Sequence, residues 1–376
     1  MSNDVRAAWR PRPGTPIDGV ATPALVVDLD AMERNIARMA DYARERGLRL
    51  RPHAKTHKSG EVARRQMAAG AVGVCVQKLS EAEALAAAGI EDLYISNEVV
   101  DRVKLARVAA LAGRVRLAIA VDSMPGIERL AAAVAAAGSE IDVYVEVDVG
   151  QGRCGAAPPA AGALAQQVVA HPGLRFAGLQ AYHGKAQHLR SPTEREAAIR
   201  HAADLARAAQ ASITSAGIAC PLVTGAGTGS FPFEAASGVW GELQAGSYVF
   251  MDRDYADNDP PAHAPRFEHA LFVKSQVMSR GVAHAVVDAG HKAHAVDSGM
   301  PRVHGRDLGF ANGGDEHGVL TARGDALPEL GETIWLIPGH CDPTVNLHDH
   351  YVVVRGGLER GVVEAVWPVD ARGCLV

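Results

Sequence analysis

Arg51-Pro52-His53-Ala54-Lys55-Thr56-His57-Lys58 places a lysine between two histidines directly after a short apolar run, 48–52. Taken alone, the segment is a basic, solvated loop. The rest of the chain gives it a different meaning. Further strand-like runs occur at 73–77, 92–96, 116–121, 141–147, 174–181, 222–224 and 242–244, eight in all with the first. Alanine-rich stretches such as 80–88 and 194–216, with acids near their starts, separate them as amphipathic helices would. Eight alternating units predict an α/β fold, a closed (β/α)8 TIM barrel, with an open doubly wound sheet as the alternative. In such a barrel, Lys55 stands at the carboxyl end of the first strand, on the rim where active sites form.

The chain before and after the barrel reads differently. Residues 25–29 form an apolar strand ahead of the eight, joined to a helix with Met32, Ile36, Met39 and Ala43 at helical spacing. Past the polar connector Asp257-Asn258-Asp259-Pro260-Pro261, strand-like runs at 271–278, 283–288, 332–337, 351–355 and 362–367 are separated by Gly- and Asp-containing turns. Three parts are expected: an N-terminal segment, 1–30, whose strand associates with the later β domain; the barrel, 31–255; and an antiparallel β domain, 256–376.

Composition narrows the function. A chain that is 48% apolar and 22% charged, with 39 glycines, has the profile of a globular enzyme and not of a disordered or fibrous chain. Its net charge is −5 and its basic residues are scattered, so neither nucleic acid nor an anionic membrane is an expected partner. Five cysteines, far apart and without a CxxC pair, make neither a disulfide framework nor a zinc ribbon. The early Asp4, Arg6 and Arg10, and the lack of a long apolar run, point to the cytoplasm.

Polar residues at strand ends converge on one rim: Lys55 after the first strand, Gln77 ending the second, Arg153 after the fifth, Tyr182 and His183 after the sixth. Unrelated solvated loops have no reason to favour one side. After the seventh strand comes Thr224-Gly225-Ala226-Gly227-Thr228-Gly229-Ser230, and after the eighth Gly246-Ser247-Tyr248. Glycines allow close approach of backbone to an anion, and N–H groups with hydroxyls can hold a phosphate; barrels often build that site from these two loops. A lysine able to form a Schiff base and a phosphate cup on one rim describe pyridoxal 5′-phosphate. Farther on, His340 and Asp342 form an H-x-D pair. On an extended chain the two would share a face and offer imidazole and carboxylate to one divalent cation, Mn²⁺ or Mg²⁺ more than a structural zinc. Cys341 between them would pack inward.

The motifs Arg51-Pro52-His53-Ala54-Lys55, Gln77-Lys78-Leu79-Ser80-Glu81, Gln180-Ala181-Tyr182-His183-Gly184, Glu242-Leu243-Gln244-Ala245-Gly246-Ser247-Tyr248 and His340-Cys341-Asp342-Pro343-Thr344 resemble the D-threonine aldolase and 3-hydroxy-D-aspartate aldolase family. That family has the alanine-racemase-type fold, shared with D-serine dehydratases, and the likeness runs from about Thr22 to Gly373. The resemblance implies that Lys55 carries the cofactor, Arg153 lies near its phenolic oxygen, and Tyr182 and Gln77 line its ring. It implies that the turns Gly225–Gly229 and Gly246–Tyr248 hold the phosphate and that His188 is the general base, with His183 as rival. It further implies a homodimer, with retro-aldol cleavage of a D-3-hydroxy amino acid to glycine and an aldehyde as the reaction. Dehydration of D-serine or D-3-hydroxyaspartate is the alternative; D-serine dehydratases carry a cysteine where this chain has Asp342. His53 and His57 are expected around the lysine, and Lys58 in solvent.

Overall fold

The computed structural model describes residues 9–262 and 264–376. Its first sheet is built from eight parallel strands: β2 (Arg49–Leu50), β3 (Val74–Val76), β4 (Asp92–Ile95), β5 (Arg116–Val121), β6 (Ile141–Glu146), β7 (Leu174–Ala181), β8 (Val223–Gly225) and β9 (Glu242–Leu243). The order β2-β9-β8-β7-β6-β5-β4-β3 leaves β2 and β3 as the ends. The chain just past β2 joins them: Cys75 N–H donates to Pro52 O at 2.8 Å and Ala54 N–H to Cys75 O at 2.7 Å. The segment carrying Lys55 is therefore the seam of the ring. It is not solvated. Lys58 is 6% exposed and pairs with Glu81 at 2.9 Å, contrary to the expectation from sequence, because the C-terminal domain covers it. Tyr351 donates its hydroxyl hydrogen to His57 O, and Ala371 N–H bonds Lys58 O.

Helices alternate with the strands: α1 (Leu29–Glu45), α2 (Gly60–Ala68), α3 (Leu79–Ala87), α4 (Arg102–Ala112), α5 (Met124–Ala137), α6 (Ala161–Ala170), α7 (Pro192–Ser215), α8 (Phe231–Ala236) and the single turn α9 (Arg253–Ala256). Asp28 caps α1 by accepting Ala31 N–H, and Met32, Ile36, Met39 and Ala43 face inward. In α7 the small stripe Ala202, Ala206 and Ala209 lets the helix lie close to the sheet.

Inside the ring, Arg51 spans the seam. Its guanidinium reaches Asp92 at 2.5 Å and the fully buried Glu242 at 3.3 Å. Breaking a buried pair by removing one partner costs about 3–5 kcal/mol, since the other charge is left uncompensated. Arg51→Ala is therefore expected to lower unfolding stability by about that amount, read as the shift in urea midpoint. A loss below about 1 kcal/mol would show that Arg49, 3.1 Å from Glu242, takes over its neutralisation.

The second sheet gathers β1 (Ala24–Asp28), β10 (Leu271–Arg280), β11 (Ala285–Val287), β12 (Arg302–Val303), β13 (Leu308–Asn312), β14 (Gly318–Ala322), β15 (Thr333–Ile337), β16 (His350–Arg355) and β17 (Val362–Pro368). Its pairings are antiparallel except β1 with β16. β1 thus crosses from the N-terminus into this sheet. Two short helices interrupt the strands, α10 (Cys341–Val345) and α11 (Gly357–Arg360), so the tail is not all β. A core containing Leu243, Tyr248 and Phe250 from the barrel side and Leu271, Leu336 and Tyr351 from the second sheet joins the two parts. That shared core brings α10 to the rim beside Lys55.

Candidate active site

A cleft of about 470 Å³ opens at the rim, lined by Lys55, Gln77, Arg153, Tyr182, Gly227, Thr228, Gly246 and Ser247. All eight were read from sequence as cofactor residues. His53, Thr56, Ser96, Gln180, Ala226, Gln244 and Tyr255 complete the wall. Of these, Gln180 and Gln244 sit at or just past strand ends and could have been found by the same rim rule. Tyr255, beyond the last strand, gave no signal. Wider is a groove on the β domain lined by Phe272, His304, Arg306 and Trp335, but it has no lysine.

The walls are tightly organised. His53 Nε2 faces Ser96 Oγ at 3.2 Å and the Gln77 amide at 2.9 Å. Burial pushes its protonation well below the ordinary range, so it is a neutral ring on the cleft floor. Arg153 lies 5.6 Å from the Tyr182 ring centroid, within cation–π range. Nearby Glu146 is pushed up to about 9 by burial and then by Glu98, so it carries its proton at neutral pH.

Four of the expected phosphate residues do not line this cleft. Thr224 lies inside the ring, its hydroxyl donating to Glu242 at 2.9 Å and accepting from Gln244. Gly225 is glycine because a Cβ there would meet Ala181 O at 2.0 Å, the neighbouring strand and not a ligand. The Gly229 N–H is already given to Gln187 Oε1 at 2.9 Å. Tyr248 points into the shared core, bonded through its hydroxyl to Gln66, and only its N–H returns to Thr228 Oγ1. What remains for an anion is the stretch Ala226 to Thr228 with Gly246 and Ser247. Ala226 has φ +71°, a conformation that costs a non-glycine residue about 1–3 kcal/mol and is typical of ligand loops. At Gly246 a Cβ would meet His53 O at 2.6 Å, so this turn packs directly against the segment that carries Lys55.

The H-x-D pair arrives differently than expected. His340 is the extended N-cap residue of α10 and Asp342 lies in its first turn, where Pro343 is tolerated because first-turn N–H groups have no intrahelical partner. The side chains still converge, His340 Nε2 lying 3.9 Å from Asp342 Oδ1. Asp342 Oδ2 is 3.5 Å from Lys55 Nζ, while Oδ1 is buried without a partner. Burial works against the Asp342 charge, yet Lys55 and then His340 hold its carboxyl below the usual range. Lys55 in turn is desolvated, which works against its charge, but Asp342 and then Tyr182 together raise its affinity for a proton. Behind His340, Asp297 Oδ2 accepts its Nδ1–H at 2.6 Å, which turns Nε2 toward Asp342. Sequence reasoning did not find Asp297. Cys341 is fully buried, packed as expected.

His188 ends a 3-10 turn, Gly184–His188, outside the lining of the cleft, half exposed and stacked on Tyr255 at 5.9 Å. Its Nδ1 donates to Asp254 Oδ2 at 2.6 Å. His183 also lies off the lining, and its Nδ1 is buried with no partner. Burial lowers its protonation.

An orphaned carboxylate oxygen beside an aimed imidazole nitrogen is a donor set that fits a divalent cation. A lysine in one cleft with Gly227, Thr228, Gly246 and Ser247, two glycines and two hydroxyls, fits a phosphorylated carbonyl cofactor. Barrel, added sheet and lysine seam define a class: residues 27–254 match the family described as alanine racemase, N-terminal domain, and residues 270–354 the putative serine dehydratase domain. More narrowly, the chain is 48% identical to a D-threonine aldolase of Arthrobacter sp over 96% of this chain and 95% of the relative. It is 44% identical to a 3-hydroxy-D-aspartate aldolase of Paracoccus denitrificans (strain Pd 1222), over 96% and 94%. The solved D-threonine aldolase of Filomicrobium marinum superposes with a TM-score of 0.94 at 52% identity, covering 97% of this chain and 99% of that one. The chain belongs to this aldolase family of lyases. A D-threo-3-hydroxyaspartate dehydratase of Delftia sp. (strain HT23) is more distant, 34% identical over 86% of this chain and 91% of the relative.

Proposed function

We propose that the protein cleaves D-3-hydroxy amino acids of the D-threonine and 3-hydroxy-D-aspartate type to glycine and an aldehyde, using pyridoxal 5′-phosphate at Lys55 and Mn²⁺ or Mg²⁺ at His340 and Asp342. The observation that carries it is the 3.5 Å approach of Lys55 Nζ to Asp342 Oδ2, which puts a carbonyl-reactive amine and a cation-binding carboxylate at one point.

When bound, the cofactor withdraws electrons from the substrate's Cα, and the cation acidifies the β-hydroxyl as a Lewis acid. The residues supply the rest. Lys55 would offer its amine for the Schiff base; Arg153 would lie near the cofactor's phenolic oxygen, and Tyr182, Gln77 and His53, which line the same cleft, would surround its ring. Thr228 and Ser247, on the two glycine-containing turns that line the cleft, would offer hydroxyls to its phosphate. His188 receives the proton of the β-hydroxyl as the Cα–Cβ bond breaks. Thr224, Gly225, Gly229 and Tyr248 shape this site from behind. The reading includes a homodimer, which rests on the resemblance, and a cytoplasmic setting, supported by five free cysteines. Among the described residues no helix is long and apolar enough to cross a membrane.

Purified protein with D-threonine, pyridoxal 5′-phosphate and Mn²⁺ is expected to yield glycine and acetaldehyde in equal amounts. Formation of 2-oxobutanoate would establish the dehydratase instead, and absence of any product would overturn both. Against dehydration stands the carboxylate at position 342, which favours harder cations than a thiolate does.

A further inference from the structure

Asp254 is buried, and each of its polar atoms has one task. Oδ2 accepts from His188 Nδ1 at 2.6 Å, and Oδ1 accepts from Arg190 Nη2 at 2.5 Å. Its carbonyl accepts from Arg190 Nη1, which also reaches Asn258 Oδ1 at 2.8 Å. Asn258 then donates to Gln187 O at 2.9 Å, holding the backbone one residue before His188. The other side of the same turn grips the loop ahead of His340. Asp254 N–H donates to Gly339 O at 3.2 Å, Arg253 N–H to Pro338 O at 3.0 Å, and Cys341 N–H to Asp252 Oδ2 at 3.0 Å. Tyr255, next in α9, both stacks on the His188 ring and lines the Lys55 cleft.

We infer that Asp254 is a positioning residue: it fixes His188 in the Nδ1–H tautomer, leaves Nε2 as the proton acceptor, and through α9 sets that atom's place relative to the His340–Asp342 pair. The inference rests on His188 being the base. In the transfer, the substrate O–H bond breaks and an Nε2–H bond forms, so the imidazole becomes imidazolium. Nδ1 keeps its hydrogen and Asp254 stays ionised, its charge offsetting the new cation. Asp254 is suited to remain so. Burial works against its charge, but hydrogen bonds from His188 and Arg190 hold its carboxyl down at about 2. His188 Nε2 has no partner among the described residues, and the groups facing the ring are Asp254, Arg190 and Tyr255. His183, by contrast, has a buried Nδ1 that accepts and donates no hydrogen bond, so no carboxylate fixes its tautomer through that atom.

The test is made on the holoenzyme, first without substrate. In the wild type, ¹⁵N spectra of labelled histidine are expected to show neutral His188 as the Nδ1–H tautomer. Asp254→Asn, nearly isosteric, can offer either an amide hydrogen or a carbonyl and so releases that preference. In turnover, Asp254→Asn is expected to lower kcat by about 10²–10⁴-fold with KM changed only a few-fold. Asp254→Glu, which keeps the charge, restores part of kcat. A wild-type His188 already in the Nε2–H form, or an Asp254→Asn protein with unchanged kcat, overturns the inference. The spectrum needs no turnover and no variant. A fixed tautomer in a protein that fails to cleave D-threonine would therefore sink the proposed function and leave the positioning intact; cleavage with an unfixed ring would do the reverse.

Discussion

Lys55→Ala is expected to abolish the visible absorption band that the protein acquires on adding pyridoxal 5′-phosphate, and to lower D-threonine cleavage by roughly 10³-fold or more. The reason is local. Among the residues that line the cleft, Lys55 carries the one primary amine, and the others offer rings, amides, hydroxyls and one guanidinium. The structure adds a pH dependence with a definite sign. Desolvation alone would ease loss of the Lys55 proton, but Asp342 and then Tyr182 together raise its proton affinity. The attacking species is the neutral amine, so cofactor capture by the free protein is expected to quicken as pH rises above neutral. Asp342→Asn removes the opposing charge and is expected to quicken capture at neutral pH. Stopped-flow absorbance measures both. A Lys55→Ala protein that keeps the band would remove the lysine from the site, and a capture rate that is flat with pH would remove Asp342 from its control.

Much of this was legible in the chain because barrel strands repeat a local pattern, and their ends share one rim. The rule succeeds for Lys55, Gln77, Arg153 and Tyr182, each placed by its own strand. It fails at Thr224 for a reason of register. Reading the strand as 222–224 puts Thr224 at the rim, but β8 runs Val223–Gly225, and side chains alternate with period two. One residue more of strand turns Thr224 into the ring. Strands β12 to β14 were missed because Arg302–Val303 is too short to show a period, and Leu308–Asn312 and Gly318–Ala322 mix glycine, asparagine and exposed positions. The H-x-D motif was read as extended chain, whereas Asp-Pro after an extended histidine starts a helical turn. What no local pattern can encode is pairing at distance. His188 meets Asp254 across 66 residues within the barrel part and His340 meets Asp297 across 43 within the later part, and no local period spans either distance.

Metal removal carries the second large effect. Asp342 Oδ1 is buried with no hydrogen-bond partner, and leaving such a group unsatisfied costs about 1–3 kcal/mol, more when it is charged. His340 Nε2 points to the same place, held by the Asp297 carboxylate on Nδ1, the arrangement by which a carboxylate orients a metal-binding imidazole. A divalent cation between them would satisfy both atoms. EDTA is therefore expected to reduce D-threonine cleavage by about 10²-fold or more, with recovery on adding Mn²⁺ and the cofactor's visible band intact throughout. Asp342→Ala should reproduce the loss without recovery. Asp297→Asn touches neither cation nor substrate, and is expected to weaken Mn²⁺ binding by about 10–100-fold in a calorimetric or spin-resonance titration. The competing account gives Asp342 only one task, the ion pair with Lys55. Under it, EDTA leaves turnover unchanged, Asp297→Asn is silent, and Asp342→Ala alters cofactor capture alone. The two accounts thus part at chelation, before any variant is made. If turnover survives complete removal of divalent ions, then the orphaned oxygen belongs to the lysine and the H-x-D pair is not a cation site.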